Sequence, residues 1–253
     1  MILTWHNTSW EIKANPPEMA LLPLACYEPH GPHLPIGTDL IIVNEIALRV
    51  AEKMTFPVFL LPIWPLGTSI HHSGKPGVLS ISYETLWAVV RDLVTSLHAH
   101  GIQRVVVINN HGSAASTTTK PMGNFIVKTA VRQLNYETPT LTAIWVQPFS
   151  AARQKLASLF PSANKEVHAG AVETAILLHL APDLVGTPPP DYIPSVSPDY
   201  LDIAPLSKLA PDGVWGYPSE ATSEKGKLAL NAIIEATSHY IKKTFEQLNE
   251  IKQ

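Results

Sequence analysis

The sequence predicts an α/β fold, a single-domain three-layer αβα sandwich whose central sheet is mainly parallel. The β-branched run at residues 103–109 indicates a strand buried on both faces, as in a parallel sheet covered by helices. Apolar runs alternate with segments of helical apolar spacing, and such alternation produces right-handed crossovers between parallel strands. The length of 253 residues suits one large domain, so we expect residues 1–253 to fold as one.

The first half of the chain is predicted to alternate strand and helix twice. The strands are residues 19–26 and 58–61, and the helices are residues 40–54 and 83–100. Asp39 lies at or near the N-terminus of the first helix. Ser82 is placed to cap the second helix, and Gly101 is placed to end it in a left-handed conformation.

The second half continues the alternation and adds one long irregular segment. The strands are residues 103–109 and 140–146, and the helices are residues 123–134, 170–180 and 223–248. Residues 186–216 are rich in Pro, Asp and Ser without periodicity, which predicts a Pro-rich excursion over the surface. In a compact domain such a loop serves as a lid, a rim or a subunit contact rather than a linker.

Composition and charge argue against several classes of protein. Charged residues make up 15% of the chain, which predicts a large core and apolar surface buried between subunits. The net charge of −3 offers no basic surface to nucleic acid. Without a run of about 18 apolar residues or a signal-like segment, we expect a soluble, cytoplasmic protein with no membrane partner. The single cysteine, Cys26, fits a reducing compartment and is interpreted as a core residue.

Residues 28–39 contain the densest set of potential metal ligands. The segment holds Glu28, His30, His33 and Asp39 and is stiffened by its prolines. If the preceding strand continues, the Glu28 and His30 side chains leave on the same face. A carboxylate and an imidazole on one face form half of a site for a first-row transition metal. The alternative is an ordinary strand-to-helix turn.

Two later segments carry further candidates. His111 follows the strand predicted at residues 103–109, and ligands in open α/β sheets gather at the carboxyl ends of strands. In residues 168–174, small side chains allow a helix N-terminus to approach the site closely. Glu173 lies in the first turns of that helix, where the helix dipole favours an ionised carboxylate. A polar turn residue and an ordinary helix-start acid are the respective alternatives.

These segments resemble the creatininase (creatinine amidohydrolase) family. Residues 28–39 contain every fixed position of its signature, Glu-x-His-Gly-x-His-Leu-Pro-x-x-Thr-Asp. The resemblance continues in family order at residues 67–82, 109–112, 168–174 and 213–226. It implies a creatininase-like fold, a small-molecule amide substrate and a homo-oligomer, which in this family is a hexamer.

The resemblance also implies two divalent metal ions per chain, of zinc, manganese or iron, with a bridging hydroxide. Asp39 would bridge the ions, with Glu28 and His111 on one of them. His30 would bind the other ion, with Glu173 either as a further ligand or as the base that acts on water.

Proton transfer and substrate contact are also assigned by resemblance. His168 would be the general acid that protonates the leaving nitrogen. The candidates for substrate contact are His33, His72, Trp145 and Ser113. The alternative for His33 is to orient the loop, and the alternative for Trp145 is a place in the core.

The chain departs from the family pattern at Ser113, Lys75 and Val78. Ser113 stands where creatininase itself places a metal-binding glutamate, which argues against creatinine as the substrate. Lys75 replaces a phenylalanine and Val78 a threonine. Lys75 suits an anionic substrate, or it is a solvated surface residue. His71 has no counterpart and is expected to face solvent.

The function implied is that of a metal-dependent amidohydrolase that cleaves a non-peptide C–N bond, in a cyclic amide or a formamide. One alternative is a non-catalytic creatininase-like protein that binds a ligand or assembles, which the departures from the pattern favour. Another is a peptidase or a deformylase of cofactor biosynthesis, since the family includes both.

Overall fold

The computed structural model describes residues 1–111 and 122–251. Within them, the strands form one five-stranded parallel sheet in the order β1-β3-β2-β4-β5. The strands are β1 (Ile2–Leu3), β2 (Met19–Leu24), β3 (Val58–Leu60), β4 (Arg104–Asn109) and β5 (Thr142–Val146). Both central strands, β2 and β4, are almost wholly buried, as their apolar sequences predict.

Helices cover both faces of the sheet. They are α1 (Ser9–Ala14), α2 (Thr38–Glu52), α3 (Tyr83–Ala99), α4 (Met122–Glu137), α5 (Pro148–Ala151), α6 (Arg153–Leu159), α7 (Ala171–Leu180), α8 (Leu206–Leu209) and α9 (Ser223–Ile251). Short 3₁₀ turns join several of them. None of the described helices is long and apolar enough to cross a membrane.

Alternate residues of β2 supply two separate cores. Met19 and Leu21 pack with α2, α7 and α9, whereas Ala20 and Leu22 pack with α3 and α4. This division follows from the period of two along a strand. The predicted three-layer αβα arrangement with a parallel sheet is therefore confirmed.

The crossovers from β2 and β4 leave the sheet in opposite directions. From β2 the chain passes through α2 to β3 on one side, and from β4 it passes through α4 to β5 on the other. The two strands are neighbours, with Leu24 paired to Asn109 at their carboxyl ends. A crevice opens at such a switch point, and it is the usual position for a ligand in an open α/β sheet.

Several local predictions are confirmed in detail. The Ser82 side chain accepts a hydrogen bond from the Thr85 amide and so caps α3. Gly101 ends the same helix with a φ of 89°. The sequence analysis missed β1, α1 and the short helices α5 and α6. Strand β1 has only two residues, and α1 buries none of its side chains, so neither leaves a hydrophobic pattern.

The Pro-rich segment at residues 186–216 is more than a surface excursion. Much of it is exposed, but Leu206, Ala210 and Trp215 are buried and pack with Val167 in a small third core. Trp215 also pairs with His168 through backbone hydrogen bonds. These contacts hold the end of the segment, including α8, against the carboxyl side of the sheet.

Candidate active site

The loop between β2 and α2 is closed by its own hydrogen bonds. The Glu28 amide donates to the Ile36 carbonyl over 3.1 Å, and Gly31 turns the chain with a φ of 66°. Asp39 then lies in the first turn of α2, where the helix dipole favours a carboxylate. The loop thereby brings Glu28, His30 and Asp39 together, each with at most 3% of its surface exposed.

Two other segments complete the cluster. His111 lies two residues after β4, and its buried ring lies beside Glu28 and Asp39. Glu173 lies in the first turn of α7, and its Oε2 accepts a hydrogen bond of 2.7 Å from the Ala169 amide. Ala169 has a φ of 51°, a left-handed conformation unusual for alanine, which turns the chain into the helix. We call Glu28, His30, Asp39, His111 and Glu173 the ligand cluster.

The ligand cluster divides into two groups that share Asp39. In the first group, His111 Nδ1 lies 3.2 Å from Glu28 Oε2 and 3.6 Å from Asp39 Oδ2. In the second group, His30 Nε2 lies 3.6 Å from Asp39 Oδ1 and 3.9 Å from Glu173 Oε1. Each oxygen of Asp39 thus faces a different histidine.

These separations fit ligands around a shared cation better than hydrogen bonds. Atoms that lie about 2.0–2.1 Å from one zinc ion in tetrahedral geometry are about 3.3 Å apart from each other. His30 Nε2, His111 Nδ1 and Asp39 Oδ2 are buried and have no hydrogen-bond partner among the described residues. Buried polar atoms without a partner are rare in folded proteins, so this set of donors is suited to a metal.

The histidines are oriented by backbone carbonyl groups. His30 Nδ1 donates to the Glu28 carbonyl over 3.0 Å, and His111 Nε2 donates to the Thr68 carbonyl over 3.1 Å. His168 Nε2 donates to the Pro29 carbonyl over 2.7 Å. Since a carbonyl only accepts, the hydrogen lies on these nitrogens, and the other nitrogen of each neutral ring faces the cluster with a lone pair. Metal-binding histidines have this arrangement.

The electrostatics indicate an excess of negative charge in the ligand cluster. Burial would lower the pKa of His30, but Asp39, Glu173 and Glu28 outweigh burial and raise that pKa to about 10. Burial raises the pKa of Glu173 to about 7, with Asp39 adding to the shift and His30 opposing it. Without a cation, the cluster would therefore take up protons to balance its carboxylates.

His168, predicted as the general acid, and His72, predicted to contact substrate, both lie at the edge of the cluster. His168 Nδ1 is 3.8 Å from Glu28 Oε1, and His72 Nε2 is 3.7 Å from the same oxygen. Burial is the main cause that lowers the pKa of His168 to about 3 and that of His72 to about 2. Both rings are therefore neutral near pH 7, and each has one ring nitrogen with a lone pair that can accept a proton.

The other predicted substrate contacts are placed differently. His33 is buried, and its Nε2 lies 2.9 Å from the Thr174 hydroxyl, which favours the role of orienting the loop against α7. Trp145 packs at the margin of the core formed by α3 and α4, under Lys128, and no described contact joins it to the ligand cluster. This favours the core alternative for Trp145. Ser113 lies outside the described residues.

The structure adds residues that the sequence analysis did not assign to the site. Ser69 Oγ donates to Glu28 Oε2 over 2.8 Å. His71 is half-buried rather than solvent-facing, and its ring stacks on His111 at 5.7 Å between centroids. Cys26 is fully buried beside Glu28 and His111. The sequence gives little signal for these contacts, because those of Ser69 and His71 depend on how the loop after β3 returns to the end of β2, and that of Cys26 depends on the pairing of β2 with β4.

A cavity of about 270 Å³ opens beside His72, whose ring borders the ligand cluster at Glu28. We call it the outer cavity. Its walls include Lys75 from the loop before α3, and Leu206, Ser207 and Asp212 from the Pro-rich segment. Lys75 and Asp212 are exposed, so the mouth of the cavity has charges of both signs.

Comparisons with known proteins agree with this architecture. The family profile of creatininase, described as creatinine amidohydrolase, matches residues 3–241. A mycofactocin precursor peptide peptidase from Mycobacterium ulcerans (strain Agy99) is 30% identical, covering 90% of this chain and 86% of that protein. A creatinine amidohydrolase from Pseudomonas putida is 27% identical, covering 96% of this chain and 95% of the relative.

Solved structures share the fold. The crystal structure of creatinine amidohydrolase (creatininase) superposes with a TM-score of 0.79 at 23% identity, covering 96% of this chain and 98% of that one. Other creatininase structures that superpose include one named for Mn and a mutant of the Zn-Zn type.

Proposed function

The chain belongs to the creatininase family of hydrolases that act on C–N bonds, and from this premise we propose that it cleaves a non-peptide amide, a cyclic amide or a formamide, using two divalent cations held by the ligand cluster. One observation carries the proposal. Buried imidazole and carboxylate atoms face one another at 3.2–3.9 Å without hydrogen bonds between them, a spacing that suits two cations sharing Asp39.

Each cation would have its own ligands. Glu28 and His111 would hold one cation and His30 and Glu173 the other, with one Asp39 oxygen on each. Nitrogen and oxygen ligands of this kind suit zinc, manganese or iron, and creatininase structures named for manganese and zinc share this fold. Divalent cations in such a pair lower the pKa of a bound water toward neutrality and polarise a substrate carbonyl.

The residues at the edge of the cluster would handle the proton. His168 Nε2 is engaged by the Pro29 carbonyl, so Nδ1 is the atom left to accept a proton and pass it to the leaving nitrogen. Glu173 Oε2 is held by the Ala169 amide, which leaves Oε1 facing His30 as a ligand or as a base toward water. Ser69 holds Glu28 in place, since its hydroxyl donates to that carboxylate.

A peptide amide is the second candidate substrate. The outer cavity of about 270 Å³ provides space for a substrate that extends beyond the scissile bond. The relative from Mycobacterium ulcerans carries the name of a peptide peptidase. Both observations favour a short peptide over a compact ring, whereas the resemblance of the motifs to creatininase favours the ring.

A non-catalytic role in binding or assembly is the remaining alternative. A binding or assembly protein would not need cations in the ligand cluster, whereas the proposed hydrolase needs about two metal ions per chain. Elemental analysis of protein purified without chelator separates the two, and less than one metal ion per chain under metal-replete conditions would exclude the binuclear proposal.

The activity itself is tested with metal-reconstituted protein on creatinine, hydantoins, formamidopyrimidines and short peptides. Hydrolysis of a ring or a formamide, abolished by chelation and restored by zinc or manganese, is the expected result. Turnover confined to peptides would select the second candidate, and turnover that survives complete removal of metal would contradict the proposal.

Two further features stay predictions. A homo-oligomer, a hexamer in this family, is to be tested by light scattering during gel filtration, and a monomer would contradict it. A cytoplasmic location is to be tested by fractionating the source cells.

A further inference from the structure

Cys26 lies against the ligand cluster although it was expected only to fill the core. It follows β2 by two residues and is completely buried. Its sulfur occupies the space in which a side chain of Gly67 would lie, since a Cβ at that position would overlap Sγ. Gly67 immediately precedes Thr68, whose carbonyl orients His111. The thiol is therefore packed between this loop and the His111 ring.

The surroundings of the thiol have the character of a metal site. The Cys26 sulfur, a Glu28 carboxylate oxygen and a His111 ring nitrogen all lie within 4.8 Å of one another. His111 Nδ1 is buried and has no hydrogen-bond partner among the described residues, and the same holds for Asp39 Oδ2. These unpartnered atoms are independent evidence that a cation belongs on this side of the cluster.

We propose that Cys26 supplies a thiolate ligand to the cation held by Glu28 and His111, and that it makes this position selective for zinc. The proposal rests on the proposed function, because it assumes that the ligand cluster holds cations. On binding, the thiol releases its proton to solvent as the sulfur–metal bond forms. The ligands of this cation would then be the Cys26 sulfur, a His111 ring nitrogen and carboxylate oxygens of Glu28 and Asp39.

The two cation positions then differ in chemical softness. Thiolate and imidazole ligands select zinc, whereas carboxylate-rich positions suit manganese. The second group consists of His30, Asp39 and Glu173, with no sulfur among them. The protein is therefore expected to load zinc beside Cys26 and to accept manganese at the other position, giving a mixed pair when both metals are supplied.

The single cysteine makes the proposal simple to test. Protein stripped of metal and reloaded with cobalt(II) should show a sulfur-to-cobalt charge-transfer band in the near ultraviolet, in addition to the weaker visible bands of bound cobalt. The band should be absent in Cys26→Ser, which keeps the size of the side chain. Thr68→Ser, a matched change in the same buried loop, should retain it.

Zinc binding gives an independent readout. X-ray absorption of zinc-loaded protein should show a sulfur neighbour at about 2.3 Å, which Cys26→Ser should remove. Zinc affinity at one of the two positions should fall at least tenfold in Cys26→Ser, since loss of an outer partner alone costs about 10–100-fold. Manganese affinity should change less than threefold.

The outcomes separate this proposal from the proposed function. If no cobalt binds to the unmodified protein, the proposed function itself fails. If cobalt binds with visible bands but without a sulfur band, the cluster holds metal and the role of Cys26 is overturned. Equal zinc affinity in the unmodified protein and Cys26→Ser would overturn it as well.

Discussion

The ligand cluster and the outer cavity are neighbouring regions that meet at His72, and they differ in burial, in conformity to the family pattern and in what fixes their side chains. The cluster residues are buried, except that the Glu173 side chain is 14% exposed, and they follow the creatininase pattern. They come from the segments after β2 and β4 and from the first turns of α2 and α7. The outer cavity is bounded by exposed residues such as Lys75 and Asp212 on loops. Lys75 departs from the family pattern.

Under the proposed function, the ligand cluster would carry the chemistry and the outer cavity would contact the rest of the substrate. A buried cluster held by a hydrogen-bonded loop and by the first turns of two helices preserves the geometry that the proposed hydrolysis needs. Exposed loops tolerate substitution, so the outer cavity can change its charge and shape without disturbing the cluster. Substitutions in the cluster should therefore affect metal binding and turnover, and those at the cavity should affect the choice of substrate.

Asp39→Ala is expected to have the largest effect, because it removes the carboxylate shared by the two proposed cation positions. We expect metal content to fall and turnover to drop by at least about 10³-fold. Removal of a single hydrogen-bond donor to a transition state lowers kcat by about 10²–10³-fold, and loss of the metal should cost at least as much. Metal content, turnover and the thermal unfolding midpoint should be measured together. Asp92→Ala, at an exposed position on α3, is the matched control. An active Asp39→Ala protein would place the chemistry elsewhere.

His168→Gln should separate proton transfer from metal binding. Because His168 Nδ1 faces the cluster from outside it, we expect kcat to fall about 10²–10⁴-fold while both cations are retained. The pH dependence of kcat should also change, which a purely structural role would not produce. Loss of a metal ion from this variant would instead make His168 a ligand, in keeping with its position beside Glu28 and His30.

Gly226→Ala tests whether the cluster depends on the packing behind it. A Cβ at Gly226, in the first turn of α9, would overlap the Ala175 carbonyl of α7, the helix that carries Glu173. We expect the free energy of unfolding to fall by about 1–3 kcal/mol, as for overpacked cores, together with weaker metal binding. Gly74→Ala is the comparison for strain without overlap. An added Cβ at Gly74 meets open space, so a loss of stability there would come from its φ of 82° alone. Unchanged unfolding in Gly226→Ala would show that α7 and α9 can move apart freely.

Lys75→Met should have the smallest effect and a selective one. If Lys75 pairs with an anionic group of the substrate, KM for a carboxylate-bearing amide should rise about two- to fivefold, as for an exposed ion pair. KM for the matching carboxamide and kcat for both should stay the same. Lys155→Met, on the exposed side of α6, should change none of these values. An equal shift for the charged and the neutral substrate would mean that Lys75 contributes bulk rather than charge.

The ligand cluster and the outer cavity also differ in how far the sequence predicts them. The strands at the centre of the sheet carry strong apolar patterns, and Glu28, His30 and Asp39 are close enough in the chain for their convergence to be expected. His111 could be placed because it lies two residues after a recognisable strand. The short edge strand β1 and helix α1 carry too few buried residues to be predicted.

Contacts between loops are where sequence reasoning fails. The approach of Ser69 and His71 to the cluster depends on the turn after β3, whose return path has no periodic signal. Cys26 meets His111 because β2 and β4 are neighbouring strands, a pairing that the sequence alone does not give. Trp145 lies on a strand of the sheet, but the face it occupies depends on the pairing register with β4. Such features follow from tertiary packing and become visible only in three dimensions.

The orientation of the imidazoles has an evolutionary consequence. His30, His111 and His168 all donate to main-chain carbonyls, those of Glu28, Thr68 and Pro29. A point mutation exchanges a side chain but leaves the carbonyl of its residue in the chain. Most single mutations therefore leave the orientation of these rings unchanged. Exposed loops can then change over evolution toward new substrates while the buried histidines keep their positions.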